Sequence, residues 1–153
     1  MKCKKMSYCI IMAAIFVITP ACHAGTSNGK TSIEQIQKET NDLIQTLKAY
    51  TSDQRREATQ KTKAALDNLD KRIDALEKHI DKKWDKMDKA ARGKAQASLK
   101  ELHKQRVKVA EWYGSLKSSS ADAWEQMKKG FSDAYKTLQD TWEKSDREFG
   151  SDE

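Results

Sequence analysis

The sequence predicts an all-α fold of long antiparallel coiled-coil helices, a helical hairpin plus flanking helices, elongated or bundle-like. Three observations favour this class. Charged residues make up 34% and hydrophobic residues 37% of the chain. The only proline is Pro20, and apolar residues recur at steps of three and four. Such narrow apolar stripes on charged helices must pack against one another. We expect a helical coiled-coil domain over residues 32–149 and a tail at 150–153.

Residues 1–24 have the composition of a secretory signal peptide. A basic start precedes an apolar run from Cys9 to Ile18, which is too short to span a membrane comfortably. Cleavage after Ala24 would leave a flexible leader at residues 25–31 and a protein exported to the bacterial periplasm. The alternative is lipoprotein processing at Cys22, which would become the acylated first residue.

All three cysteines, Cys3, Cys9 and Cys22, lie within this segment. A mature chain beginning at Gly25 would therefore contain no thiol, and no disulfide, thiolate nucleophile or zinc–thiolate site. Its fold would depend on helix packing alone.

The first helix is predicted over residues 32–50, and its apolar seam does not continue in phase into the next stripe. Thr51 and Gln54 have the spacing of a capping box, in which the two residues satisfy free backbone N–H groups at a helix start. We therefore expect a break near Tyr50. The seam consists of Ile33, Ile36, Thr40, Leu43, Leu47 and Tyr50.

The second and third helices are predicted over residues 52–87 and 89–118. Asp88 is suited to cap the third helix, so the two stripes would meet in a hairpin. The alternative is one unbroken helix from Ser52 to Ser118, because no glycine or proline marks a turn at Asp88. The second stripe is Leu66, Leu69, Ile73, Leu76, Ile80 and Met87, and the third is Ala91, Ala95, Leu99, Leu102, Val109, Tyr113 and Leu116.

Arg106 lies within the third apolar seam. A cation at that position needs an acid from the facing helix, and Asp70, Asp74 and Glu77 are at the right level of a hairpin. A polar residue in a helical seam fixes the register of packing at some cost in stability.

The fourth helix is predicted over residues 120–149, with Ser119 and Asp122 at capping-box spacing. Its aromatic residues share a narrow arc, and three interpretations remain open. They pack in the core, they bind nonpolar segments of other proteins, or they contact a membrane surface, which suits an acidic helix least. The candidate partner-binding residues are Trp124, Phe131, Tyr135, Trp142 and Phe149.

Charge is segregated along the chain. The segment from Lys82 to Lys108 carries ten basic and three acidic residues, whereas Ser118 to Glu153 carries five basic and nine acidic ones. The acidic helix could lie against the basic end of the hairpin. The basic segment is a solvated face or a surface for acidic lipid. We do not expect nucleic acid as a partner, because an exported protein rarely meets it.

No constellation typical of catalysis is present. His79 and His103 have no cysteine or second histidine at ligand spacing. The sequence contains no glycine-rich phosphate loop, HExxH motif or nucleophile elbow. We expect no enzyme activity, metal, cofactor or small-molecule substrate.

Four segments carry a resemblance to known proteins, and the most specific is the motif AWEQMKKGFSDAY near the start of the fourth helix. The segments are Tyr50–Ala58, Ile80–Met87, Ala110–Lys117 and Ser120–Tyr135. They resemble bacterial coiled-coil proteins described as stress-response family members. The resemblance implies an all-helical, extracytoplasmic, non-enzymatic protein linked to stress, and it brings no catalytic residues.

These observations together predict an exported, non-enzymatic coiled-coil protein, related to envelope stress, that binds proteins in a chaperone-like way. Its partners would be unfolded clients or further copies of itself. One alternative is a structural or adaptor protein that self-assembles through its stripes. The other is a peripheral, membrane-associated amphipathic protein.

Overall fold

The computed structural model describes residues 33–150, which lie within one compact unit, Thr31–Glu153. The predicted signal peptide, Cys22, the leader and most of the tail lie outside the described residues. This range contains no β-strand, and the all-α prediction is confirmed. The four helices are α1 (Ile33–Ala49), α2 (Arg55–Lys83), α3 (Lys89–Ser118) and α4 (Trp124–Phe149).

The break between α1 and α2 occurs where the seam loses its phase. The backbone N–H of Thr51 donates to Oε1 of Gln54 at 3.1 Å, which is the reciprocal half of the predicted capping box. A single 3-10 turn, Ser52–Gln54, then leads into α2.

The hairpin prediction is also confirmed, and the unbroken helix is excluded. A 3-10 turn at Trp84–Lys86 ends the second helical segment, and Met87 and Asp88 are both extended. Oδ1 of Asp88 accepts a hydrogen bond from the backbone N–H of Ala91 at 2.7 Å. An aspartate cap of this kind supplies the acceptor that a helix start lacks, so no glycine or proline is needed.

The predicted start of α4 is wrong by a few residues. The Ser119 hydroxyl donates to the carbonyl of Leu116 at 2.9 Å, so Ser119 closes α3. Ser120 accepts instead, from the backbone N–H of Ala123 at 3.3 Å. A turn at residues 121–123 follows, and α4 begins at Trp124.

Paired charges fix α2 antiparallel to α3. Arg106 forms two hydrogen bonds to the Asp70 carboxylate, the longer being 2.6 Å, which confirms the prediction of an acid facing it. Further along, Nε2 of His103 lies 2.9 Å from Oε1 of Glu77. Asp70 also raises the pKa of Arg106 through these hydrogen bonds, so the guanidinium stays charged while it holds the register.

The fourth helix packs against all three others. Against α3 it runs antiparallel, with the Trp112 indole lying on Gly130 and Lys94 Nζ 3.6 Å from Glu148 Oε1. The helices thus alternate in direction, as in other bundles with short connections.

One apolar cluster runs through the bundle and takes side chains from every helix. Its fully buried members come from all four elements, so the core is shared rather than divided between two separate hairpins. The largest of them are Trp124, Phe131, Ile36, Leu47, Leu69, Ile80, Leu102, Leu116 and Leu138.

Candidate binding surfaces

The aromatic face predicted from the sequence, defined as Trp124, Phe131, Tyr135, Trp142 and Phe149, lies inside the bundle. The exposed fraction of these residues runs from 0% at Phe131 to 8% at Phe149. The structure therefore brings all five together, but as core residues. Core packing accounts for the face in this conformation, and a partner could reach it only if a covering helix moved.

The polar atoms of the aromatic face differ in how they are satisfied. Nε1 of Trp124 donates to the carbonyl of Tyr50 at 2.9 Å, and the Tyr135 hydroxyl donates to the carbonyl of Ala65 at 3.3 Å. Nε1 of Trp142 is buried and has no acceptor among residues 33–150. A buried donor without an acceptor costs stability.

Burial raises the pKa of the Tyr135 phenol from 10.0 to about 12. Its ring stacks on Phe131 with centroids 5.7 Å apart. Desolvation penalises the phenolate, because Tyr135 is buried. Tyr135 is therefore a packing residue and a hydrogen-bond donor rather than a proton carrier near neutral pH.

Sequence reasoning missed Lys128, which sits within the aromatic face and is 4% exposed. Its Nζ donates to the carbonyls of Lys48 at 3.1 Å and Tyr50 at 2.8 Å. It also pairs with Glu125 at 2.8 Å. A cation at the end of α1 satisfies carbonyls that the helix leaves free and complements its dipole.

A second group that sequence reasoning missed is the buried carboxylate of Glu143, nearer the C-terminal end of α4. Its Oε2 accepts from Nε2 of Gln37 at 2.8 Å, and its Oε1 accepts from Gln139. Arg147 lies 3.5 Å away. The sequence signal that could have found these residues is their helical spacing, which places Lys128, Gln139 and Glu143 close to the aromatic arc of α4.

The exposed basic face consists of lysines on the outer side of the hairpin: Lys82, Lys86, Lys89, Lys100 and Lys108. All five are exposed, and within residues 33–150 none forms an ion pair. These cations are therefore available to an external anionic group.

The acids of α4 are largely neutralised within that helix. Lys129 pairs with Asp133 at 2.6 Å and Lys136 with Asp140 at 3.7 Å. Lys94 of the basic segment pairs with Glu148 of α4 at 3.6 Å. Among the described residues, packing of α4 therefore leaves the five lysines of the basic face without an ion pair to its carboxylates.

The described residues contain no group of histidine, cysteine and carboxylate side chains that could hold a metal ion. Among the helices of residues 33–150, none is long and apolar enough to cross a membrane. Comparison of the chain with protein-family models, with curated proteins and with solved structures found no match.

Proposed function

We propose that this chain is an exported, non-enzymatic helical bundle of the bacterial envelope that binds other proteins in a chaperone-like way under stress. The single observation that supports binding most directly is the uncompensated basic face of the hairpin. Exposed charges of one sign attract partners of the opposite sign and speed their encounter.

The contacts of the titratable groups support a role without catalysis. Arg106 and Asp70 fix helix register, Lys128 caps α1, and Asp88 caps α3. Each of these charged groups already has a structural partner. A protein whose charged groups hold helices together and whose outer surface is basic suits binding better than acid–base chemistry.

The first test is suppression of aggregation of an unfolded outer-membrane protein by residues 25–153. We expect protection at a several-fold molar excess and loss of protection with rising salt, because exposed charges are screened within about 10 Å at 0.1 M salt. Unchanged aggregation at that excess would refute the proposal.

Lysine variants test whether protection depends on the basic face itself or on the net charge of the chain. Replacing Lys82, Lys86, Lys89 and Lys100 with glutamine should weaken protection strongly. The matched control replaces four other exposed lysines that form no ion pair within the described range, and it changes the net charge equally. It should protect like the parent chain. The control positions are Lys38, Lys48, Lys117 and Lys144.

The same lysines favour a second candidate, peripheral binding to an anionic membrane surface. Clusters of exposed lysine are attracted to acidic lipid by roughly 1 kcal/mol per residue near the surface. Sedimentation with anionic vesicles, but not with zwitterionic ones, would support this candidate. Mass spectrometry of the exported N-terminus would show whether Cys22 is acylated.

A further inference from the structure

We propose that α1 is a displaceable cover and that the groove beneath it, between α2 and α4, is a binding site for an amphipathic helix of another protein. The inference rests on the proposed function, because it states how a client would reach the aromatic face. It names a second surface, distinct from the basic face.

α1 buries the fewest residues of the four helices. Only Ile36, Thr40 and Leu47 of α1 are buried, against seven residues of α2, five of α3 and 11 of α4. An element with few buried contacts opens locally at lower free energy than the whole bundle unfolds.

α1 also packs incompletely against α2. A surface cleft of about 330 Å³ lies between these two helices, bordered by Leu43 of α1, Ala65 and Arg72 of α2, and Tyr135 of α4. A Glu39–Arg72 ion pair, 2.6 Å long, crosses between the same two helices. Solvent therefore already approaches one member of the aromatic face.

The contact between α1 and α4 has polar groups at both ends, on either side of the buried Ile36 and Leu47. Gln37 meets Glu143 at one end, and the last carbonyls of α1 meet Lys128 and Trp124 at the other. Interfaces that form and separate reversibly are more polar than permanent ones, because both sides must also be stable in water.

The charges at the two ends of the groove indicate what kind of helix would occupy it. Glu143 and Lys128 are separated by about 22 Å along α4 at a rise of 1.5 Å per residue. A carboxylate at one end and an ammonium at the other complement the positive N-terminus and negative C-terminus of a helix that runs antiparallel to α4. The groove therefore selects both the orientation and the length of its occupant, about four turns.

The Trp124 indole and the Lys128 ammonium add a specific recognition element. Both donate to the carbonyl of Tyr50, at 2.9 and 2.8 Å, and both are almost fully buried. Their N–H groups form a preformed donor site for the free carbonyls that end any helix. We infer that a client helix with apolar residues at the spacing of α1 would be capped there in its place.

The test locks α1 in position. Glu39→Cys with Arg72→Cys, at the ion pair that joins α1 to α2, introduces two thiols into residues 25–153, which contain no other cysteine, and leaves Glu143 and Lys128 in place. A short bis-methanethiosulfonate reagent bridges them, and a reductant removes the bridge. The control bridges Lys94→Cys with Glu148→Cys, which joins α3 to α4 at another inter-helix contact and leaves α1 free.

Two fluorescent peptides serve as probes: residues 33–50 themselves, and a helix that keeps only the apolar positions of α1. A tethered α1 competes at an effective concentration on the order of millimolar, so titrations extend into that range. We expect both peptides to bind. The α1 bridge should weaken binding at least about tenfold, the difference that 1.4 kcal/mol produces, and reduction should restore it, whereas the control bridge should have no effect.

Three outcomes would overturn the inference. Binding that ignores the α1 bridge would place the peptide elsewhere, and absence of binding would leave the groove without a ligand. Binding of residues 33–50 alone would indicate exchange of α1 between copies. If the bridged chain still suppresses client aggregation, the proposed function stands through the basic face and only the cover is wrong.

Discussion

Gly130 lies inside α4 although glycine has a low helix propensity. Glycine inside a helix normally costs about 1 kcal/mol relative to alanine. Here a methyl group would overlap the six-membered ring of Trp112. We expect Gly130→Ala to lower the free energy of unfolding by roughly 1–3 kcal/mol, as overpacking does, measured by urea denaturation.

Two other glycines provide the control. A Cβ at Gly93 or Gly114 would have no atom within 4 Å, and both residues lie on the outer side of α3. Gly93→Ala and Gly114→Ala should therefore raise the free energy of unfolding by about 0.5–1 kcal/mol. Stabilisation by Gly130→Ala as well would show that Trp112 does not occupy this position.

Tyr135 predicts a loss of stability in alkali. Its pKa is raised from 10.0 to about 12 in the folded protein, so the unfolded chain releases its proton first. The stabilising contribution is complete below pH 10 and is lost as pH rises towards 12. The expected total loss is about 3 kcal/mol, for a shift of about two pKa units at roughly 1.36 kcal/mol each.

The comparison is with Tyr135→Phe, because lysines and other tyrosines titrate in the same range in both proteins. The variant loses one hydrogen bond to Ala65 and should be slightly less stable at pH 8. Its free energy of unfolding should fall less between pH 10 and 12. Parallel curves would contradict burial of the phenol.

Single residues differ in how far the sequence reveals them. An arginine inside an apolar seam requires an acid opposite, so the partner of Arg106 could be narrowed to three candidates, of which Asp70 is the one observed. Lys128 could not be assigned in this way, because its acceptors are backbone carbonyls and these carry no sequence signature.

At the scale of elements, the end of α1 depends on Lys128. Lys128→Met removes an ammonium that donates to two carbonyls of that end, and hydrogen bonds to charged groups contribute about 1.5–3 kcal/mol. The amides of α1 should therefore exchange faster, by about tenfold for each 1.4 kcal/mol of lost stabilisation. The amides of α3 should stay protected.

Lys129→Met is the matched change. Lys129 is the next residue on α4, but it is exposed and pairs only with Asp133 on its own helix. Exchange in α1 should not respond to it. Equal acceleration in the two variants would show that α1 is not held at this end.

Helix boundaries could be predicted from the sequence where a cap made by nearby side chains sets them. Asp88 and the Thr51–Gln54 pair mark their breaks, because a cap needs only local spacing. The start of α4 could not be placed, since three consecutive serines offer equivalent caps. Burial of Ser119, with its hydroxyl turned back to Leu116, decides between them.

At the scale of the molecule, the position of the aromatic face fixes the expected fluorescence. Trp124 and Trp142 are buried, whereas Trp84 and Trp112 are half-buried. A Trp84→Phe, Trp112→Phe double variant should therefore show blue-shifted emission that acrylamide hardly quenches. Light scattering on the same sample should give the mass of a monomer.

Two results would contradict this arrangement. Red-shifted, readily quenched emission from a monomer would mean that α4 does not lie inside the bundle. An oligomer with blue-shifted emission would mean that chains supply each other's covering helix.

The sequence could predict the helices and their apolar faces, because periodicity is local. It could not decide whether the aromatic face is core or binding surface. The answer depends on whether the other three helices leave room for α4. An apolar stripe in the sequence does not show which helix it packs against. The structure places α4 against all of them.

The short connections between consecutive helices also bear on how fast the chain folds. Met87 and Asp88 alone separate the last turn of the second helical segment from α3, so neighbouring helices meet after closing small loops. Helical bundles rich in such local contacts fold in microseconds to milliseconds. The only proline, Pro20, and all three cysteines precede the bundle. A chain delivered unfolded across a membrane would therefore reach its native state without waiting for an isomerase or an oxidase.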